Sequence, residues 1–211
     1  MTLKSFECPN LIVGWYLYYY FRYPSGDYLS HQIMDFKADK DLQIQTFSQL
    51  AAEALAETDW TFDYVVRALG SKEITATKPN RVREIAKAIA DKMHATYIPQ
   101  LLKKKKATKP FKGGLSKQAR IDQLEDVYEI NVEYDLNDKS VLIVDDISTT
   151  GTTFEVIAGV IKAKYPKARV YGFSLAKTTY KIKGELEGNT KEDVDEYKSQ
   201  LEKNTAVKPK K

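Results

Sequence analysis

The chain has one cysteine, Cys8, in 211 residues. It can form no intramolecular disulfide and no cysteine-built zinc cluster, which fits a reducing compartment and leads to the expectation of a cytoplasmic protein. No apolar run reaches the roughly 18 residues that a spanning helix needs. The N-terminus lacks the basic-then-apolar layout of a signal peptide, so no membrane partner is expected. Two histidines, His31 and His94, have no evident partners and read as structural or exposed. No Gly-Lys-Ser/Thr sequence follows a strand, which excludes a Walker-type P-loop. Nor is there an excess of one charge: 33 basic against 29 acidic residues leave +4. A hydrophobic fraction of 43% and a charged fraction of 29% are ordinary for a globular domain.

The patterns that remain alternate between strand and helix. Trp15 to Phe21 is aromatic and β-prone, and Pro24-Ser25-Gly26-Asp27 signals a turn before Tyr28-Leu29. The region reads as a hairpin or short strand pair, used for packing or for stacking bases. Leu50, Ala51, Ala54 and Leu55 fall at helical spacing. Residues 62–67 read as a strand, followed by the tight loop Leu69-Gly70-Ser71-Lys72. A helix with Val82, Ile85, Ala86, Ile89 and Met93 on one face comes next, then strands near 97–98 and 127–134. Residues 169–176 form another strand. Beyond residue 180 the composition turns polar and charged; a helix over 192–204 with a frayed, flexible end is expected. The alternation over 62–176 predicts an α/β fold with a mainly parallel twisted sheet and helices on both faces. Three regions follow: 1–60 as an aromatic-rich N-terminal hood with hairpin and helix, 61–180 as the core, and 181–211 as a charged tail.

The most informative stretch is Val141-Leu142-Ile143-Val144-Asp145-Asp146-Ile147-Ser148-Thr149-Thr150-Gly151-Thr152-Thr153. Four apolar β-formers run into two carboxylates, then a loop of small residues, then a helix with Phe154, Ile157, Ala158 and Ile161 on one face. The strand reads as buried and parallel, and an open α/β sheet takes its ligand at the carboxyl ends of such strands. The loop amides, hydroxyls and helix dipole make a phosphate cradle. Two carboxylates beside it would repel a bare polyphosphate. They suit a ligand that also offers hydroxyls or a bound divalent cation, and a phosphorylated sugar with vicinal hydroxyls meets both demands. The bland alternative is a buried strand ending in a capping turn.

That string resembles the PRPP-binding motif of type I phosphoribosyltransferases. The resemblance implies that Asp145 and Asp146 lie near the ribose hydroxyls, and that Ser148, Thr149, Thr150, Gly151, Thr152 and Thr153 hold the 5′-phosphate. It implies Mg²⁺ carried with PRPP and possession of no separate metal site, Asp145 and Asp146 being the nearest ligands. It offers Leu69, Gly70, Ser71 and Lys72 as a pyrophosphate loop. The basic run from Lys103 to Arg120, with eight Lys/Arg and no acid, is the candidate mobile loop; Lys104, Lys105, Lys106, Lys109 and Arg120 are its cations. Within the family the chain looks most like the ComF, competence-associated branch. Asn80 and the elements Tyr28…Lys37 and Thr108…Leu115-Ser116…Arg120 carry that likeness. A Cys-rich zinc element is missing, and Arg67-Ala68 replaces a Pro-rich segment.

The reaction so implied displaces pyrophosphate from PRPP through an oxocarbenium-like transition state, which needs positioning and charge stabilisation rather than covalent catalysis. The acceptor is not written in the sequence. Two alternatives stay open. One is a ComF-like accessory protein of single-stranded DNA uptake, binding nucleic acid through the basic run; the other is a non-catalytic PRPP or nucleotide sensor. A homodimer through the aromatic N-terminal segment is a further expectation.

Overall fold

The computed structural model describes residues 2–21, 27–77, 79–109, 116–179 and 188–206. Its centre is β7 (Ser140–Ser148), hydrogen-bonded in parallel to β3 (Tyr64–Arg67) on one edge and β8 (Arg169–Thr179) on the other. Alternate residues of β7 point to opposite faces. Val141 and Ile143 enter one hydrophobic cluster, Leu142 and Val144 the other. All four are completely buried, and each side chain of this size contributes roughly 1.5–3 kcal/mol. The continuous apolar run is thus the signature of a strand covered on both faces.

The full sheet has the order β1-β2-β8-β7-β3-β4, with β1 (Lys4–Phe6), β2 (Gly14–Phe21) and β4 (Thr96–Tyr97) completing it. Only the β1–β2 pair is antiparallel. On one face lie α1 (Tyr28–Lys37), α2 (Asp41–Ala56), α3 (Arg81–Lys92) and α6 (Lys191–Ala206). The other face is covered by α4 (Lys117–Leu124), α5 (Thr152–Lys164) and a separate antiparallel ribbon of β5 (Leu102–Lys104) and β6 (Tyr128–Ile130). The fold class expected from the alternation is the one observed.

Several local expectations are corrected. The aromatic stretch is β2, which joins the main sheet beside β8. Tyr28-Leu29 does not pair with it as a strand. Asp27 accepts a hydrogen bond from the Ser30 N–H at 2.7 Å and starts α1, whose Leu29, Ile33 and Phe36 are buried at helical spacing. The turn residues 24–26 lie outside the described residues. Of the expected 127–134 strand only Tyr128–Ile130 is one, and it pairs with β5 rather than with the sheet.

The helix expected over 192–204 is α6, Lys191–Ala206, and it is docked rather than frayed. Helix α6 docks on α2, and the fully buried Tyr197 sits 4.8 Å from the Phe47 ring and donates to Gln32. Gln200 bonds Gln49 and Asn204 bonds Thr46 beneath it. The remaining tail residues, 181–187 and 207–211, lie outside the described residues. Tyr197→Ala is expected to destabilise the protein by roughly 3–5 kcal/mol, as large-to-small changes of core aromatics do. Urea unfolding reads this directly, and a loss below about 1 kcal/mol would show that α6 is not part of the core.

Candidate functional site

The carboxyl ends of β2, β3, β7 and β8 open into one cavity of about 950 Å³. Asp145 and Asp146 stand where β7 enters it. Each carboxylate first braces the backbone: Asp145 Oδ1 accepts the Asp146 N–H at 2.8 Å, and Asp146 Oδ1 accepts the Ile147 N–H at 2.7 Å. Burial, reinforced by the neighbouring Asp146 charge, pushes the Asp145 carboxyl well above its ordinary range; the Asp146 N–H, Arg81 and Lys104 oppose this.

The loop expected to hold phosphate lies beside them. Ser148 still belongs to β7 and is buried, while Thr149 to Thr153 wrap the start of α5. The hydroxyls pair among themselves, Thr149 with Thr178 at 3.2 Å and Thr150 with Thr152 at 2.8 Å. Gly151 takes the N-cap position with φ +77, and no side chain caps the helix. The first-turn amides therefore have no intrahelical acceptor and face the cavity end of a helix dipole. A Cβ at Gly151 would meet Cys8 Sγ at 3.3 Å in a conformation that L residues avoid. Cys8 itself bonds the Gly151 carbonyl. Burial, with Glu155 nearby, pushes its thiol up to about 11, so it packs under the loop as a neutral group.

Leu69, Gly70, Ser71 and Lys72 line the opposite wall. This is the loop expected to contact pyrophosphate, and its Gly70 N–H donates to Glu73 Oε2 at 2.6 Å. Glu73 also accepts two hydrogen bonds of 2.8 Å from Arg67. Burial alone would raise the Glu73 carboxyl; Arg67, the Gly70 N–H and Lys104 hold it below its ordinary value.

The basic run is corrected most. Lys104 is not on a mobile lid. It lies in β5, only 2% exposed, and its Nζ donates to the Gly70 carbonyl at 2.9 Å and sits 5.1 Å above the Tyr128 ring. Burial pushes its ammonium down to about 8, against the pull of Asp145 and Glu73. Lys109 lines the cavity, as does Arg120, buried on α4. Lys105 and Lys106 are exposed and do not line it. Residues 110–115, with Pro110 and the Gly113-Gly114 pair, lie outside the described residues.

Sequence reasoning missed Arg81. From the first turn of α3, its Nη2 and Nε donate to Asp146 Oδ2 at 2.8 and 3.2 Å, and its Nη1 to Asp39 at 3.2 Å. Nothing in its own spacing marks it; the adjacent Asn80, which caps α3 by accepting the Arg83 N–H at 2.8 Å, was the nearest signal. Both histidines are exposed and away from the cavity. Among the described residues no group of three His, Cys, Asp or Glu side chains could hold a metal ion. Two adjacent carboxylates without a third suit a Mg²⁺ that keeps phosphate oxygens and waters as its other ligands.

No curated protein matches this sequence. Among solved structures, the chain is similar to a hypoxanthine phosphoribosyltransferase from Staphylococcus aureus, with 16% identity, a TM-score of 0.40, and coverage of 69% of this chain and 68% of that one. It is also similar to a hypoxanthine-guanine phosphoribosyltransferase from Bacillus anthracis (12% identity, TM-score 0.40, 70% and 76% covered). A purine phosphoribosyltransferase from Pyrococcus horikoshii shows 16% identity and a TM-score of 0.39, with 69% and 94% covered. Residues 79–200, more than half of the chain and spanning the acid pair, the threonine loop and α5, match the phosphoribosyl transferase domain profile, and the protein belongs to that family.

Proposed function

We propose that the protein binds PRPP together with Mg²⁺ and transfers its 5-phosphoribosyl group to a nucleophile, releasing pyrophosphate. The observation that carries this reading is the juxtaposition, at one strand end, of Asp145 and Asp146 with the open amides of the 149–153 loop. The loop and α5 would take the 5′-phosphate. The two carboxylates, held rigid by their own backbone amides, would accept the ribose hydroxyls. Mg²⁺, bound through the diphosphate and next to Asp145 and Asp146, would offset the charge of the leaving group. Lys104 and Lys109 supply fixed and outer cations on that side. Residues 61–180 make up the catalytic core in this reading, to which the N-terminal region adds β2 and Asp39.

The ComF-like reading draws in part on Asn80, Ser116 and Arg120. Asn80 caps α3 and also donates to Glu73. Ser116 caps α4, accepting the Ala119 N–H at 3.1 Å, and so presents Arg120 to the cavity. The exposed Lys105 and Lys106 are the cations left over for a nucleic-acid phosphate.

Calorimetric titration of PRPP with Mg²⁺ is expected to show saturable binding. Asp145→Ala/Asp146→Ala is expected to weaken it at least about tenfold, since a hydrogen bond to a charged group contributes roughly 1.5–3 kcal/mol. Unchanged affinity in a folded double variant would sink the ribose assignment.

A second expectation concerns pH. With metal chelated, inorganic pyrophosphate should bind more weakly as pH rises through about 8, where Lys104 loses its proton. Ionisation of Asp145, delayed by burial, adds negative charge as pH rises and acts in the same direction. Lys104→Met should lower the affinity below pH 8 and flatten the profile above it. A wild-type profile that does not differ from that of Lys104→Met would remove Lys104 from the anion site.

A further inference from the structure

Arg67 ends β3 with its side chain wholly buried. Its Nη1 and Nη2 each reach a different oxygen of Glu73 at 2.8 Å, Nη1 also donates to the Ala68 carbonyl at 3.0 Å, and Nε has no hydrogen-bond partner among the described residues. A buried guanidinium needs a counter-charge in place, and removing one partner of such a pair costs far more than the pair contributes. Glu73 is therefore fixed. It uses what capacity it has left on two neighbours: the Gly70 N–H at 2.6 Å and Asn80 Nδ2 at 3.2 and 3.3 Å. One carboxylate thus ties together the end of β3, the 69–72 loop and the start of α3.

The other side of the same Gly70 residue holds Lys104. With the N–H drawn to Glu73, the Gly70 carbonyl accepts from Lys104 Nζ at 2.9 Å. A Cβ at Gly70 would stand 3.1 Å from Glu73 Oε2, so a larger residue there would press the carboxylate back by a few tenths of an ångström. The contacts form a chain: Arg67 to Glu73, Glu73 to Gly70, Gly70 to Lys104. Lys104 lines the cavity, within the fields of the Asp145 and Glu73 carboxylates.

Resting on the phosphoribosyl reading above, we propose that Glu73, anchored by Arg67, is the positioning residue that holds Lys104 as the fixed cation for the diphosphate. The Gly70 amide is not itself an anion seat. Because Glu73 cannot leave Arg67 without stranding a buried charge, it stays when ligand arrives, and the diphosphate meets the ammonium of Lys104.

The test measures calorimetric affinity for inorganic pyrophosphate and, separately, for ribose 5-phosphate. Because Glu73→Ala alone would strand Arg67, the working variant is Arg67→Met/Glu73→Met. Exchange of a buried ion pair for apolar side chains is commonly neutral for stability, and near-ultraviolet dichroism checks the fold. This variant and Lys104→Met should each weaken pyrophosphate binding about tenfold or more. The triple variant should be no weaker than Lys104→Met, the signature of residues acting through one another. Arg67→Met/Glu73→Gln, which keeps an oxygen for the Gly70 N–H, should recover most of the affinity. Ribose 5-phosphate affinity should stay within about twofold of wild type in all four, as expected for an independent site.

Pyrophosphate affinity that is unchanged or tighter in Arg67→Met/Glu73→Met overturns the proposal. So do additive losses in the triple variant, or a wild type that binds no pyrophosphate. Failure of wild type to bind ribose 5-phosphate overturns the phosphoribosyl reading instead, and the pyrophosphate arm still judges Glu73.

Discussion

A strand buried on both faces must satisfy its backbone groups sideways, and β7 does so by pairing with β8 along its length and with β3 over Val141–Val144. That constraint places everything else. The strand leaves the hydrophobic interior at Asp145, so the first polar residues of the chain at that point are held by the most rigid part of the sheet. The helices on the two faces then begin where their strands end, which brings the first turns of α3 and α5 to the same cavity. No flexible element is needed to assemble the acid pair and the threonine loop.

The cavity is organised by charge as much as by shape. Arg81 lies against Asp146, and Lys104 feels the charges of Asp145 and Glu73. These opposite neighbours offset the cost of burying each charge. The arrangement also separates two functions. The wall formed by α5 offers amides and hydroxyls. The wall formed by β5 and the 69–72 loop offers a fixed ammonium.

How much of this could be read from the sequence depended on periodicity. The 141–153 segment was legible because a continuous apolar run, two acids and a small-residue loop occur in an order that few structures use. Helix α6 was expected over 192–204, but its docking was not, because its apolar residues, Val194, Tyr197 and Leu201, form a thin stripe; the rest of its contact is polar, through Gln200 and Asn204. Lys104 was hidden in a run of like charges that looks solvated, yet strand pairing with β6 turns it inward. The Arg67–Glu73 pair spans a turn of irregular backbone, where no repeat relates the two positions. Side chains that meet across loops leave no mark on spacing, and the residues missed at the site are of that kind.

The position of β2 carries a consequence for synthesis. Its Tyr16 lies opposite Ser174 and its Phe21 opposite Thr179, residues made long after it. At about 5–20 residues per second, the nascent strand waits on the order of ten seconds or more for its partner. During that interval Trp15 to Phe21, β-prone and uncharged, has only the short β1 to pair with. It is then open to pairing with the wrong chain. Slow assembly through a long-range closure is the cost of pairing strands so far apart in the sequence.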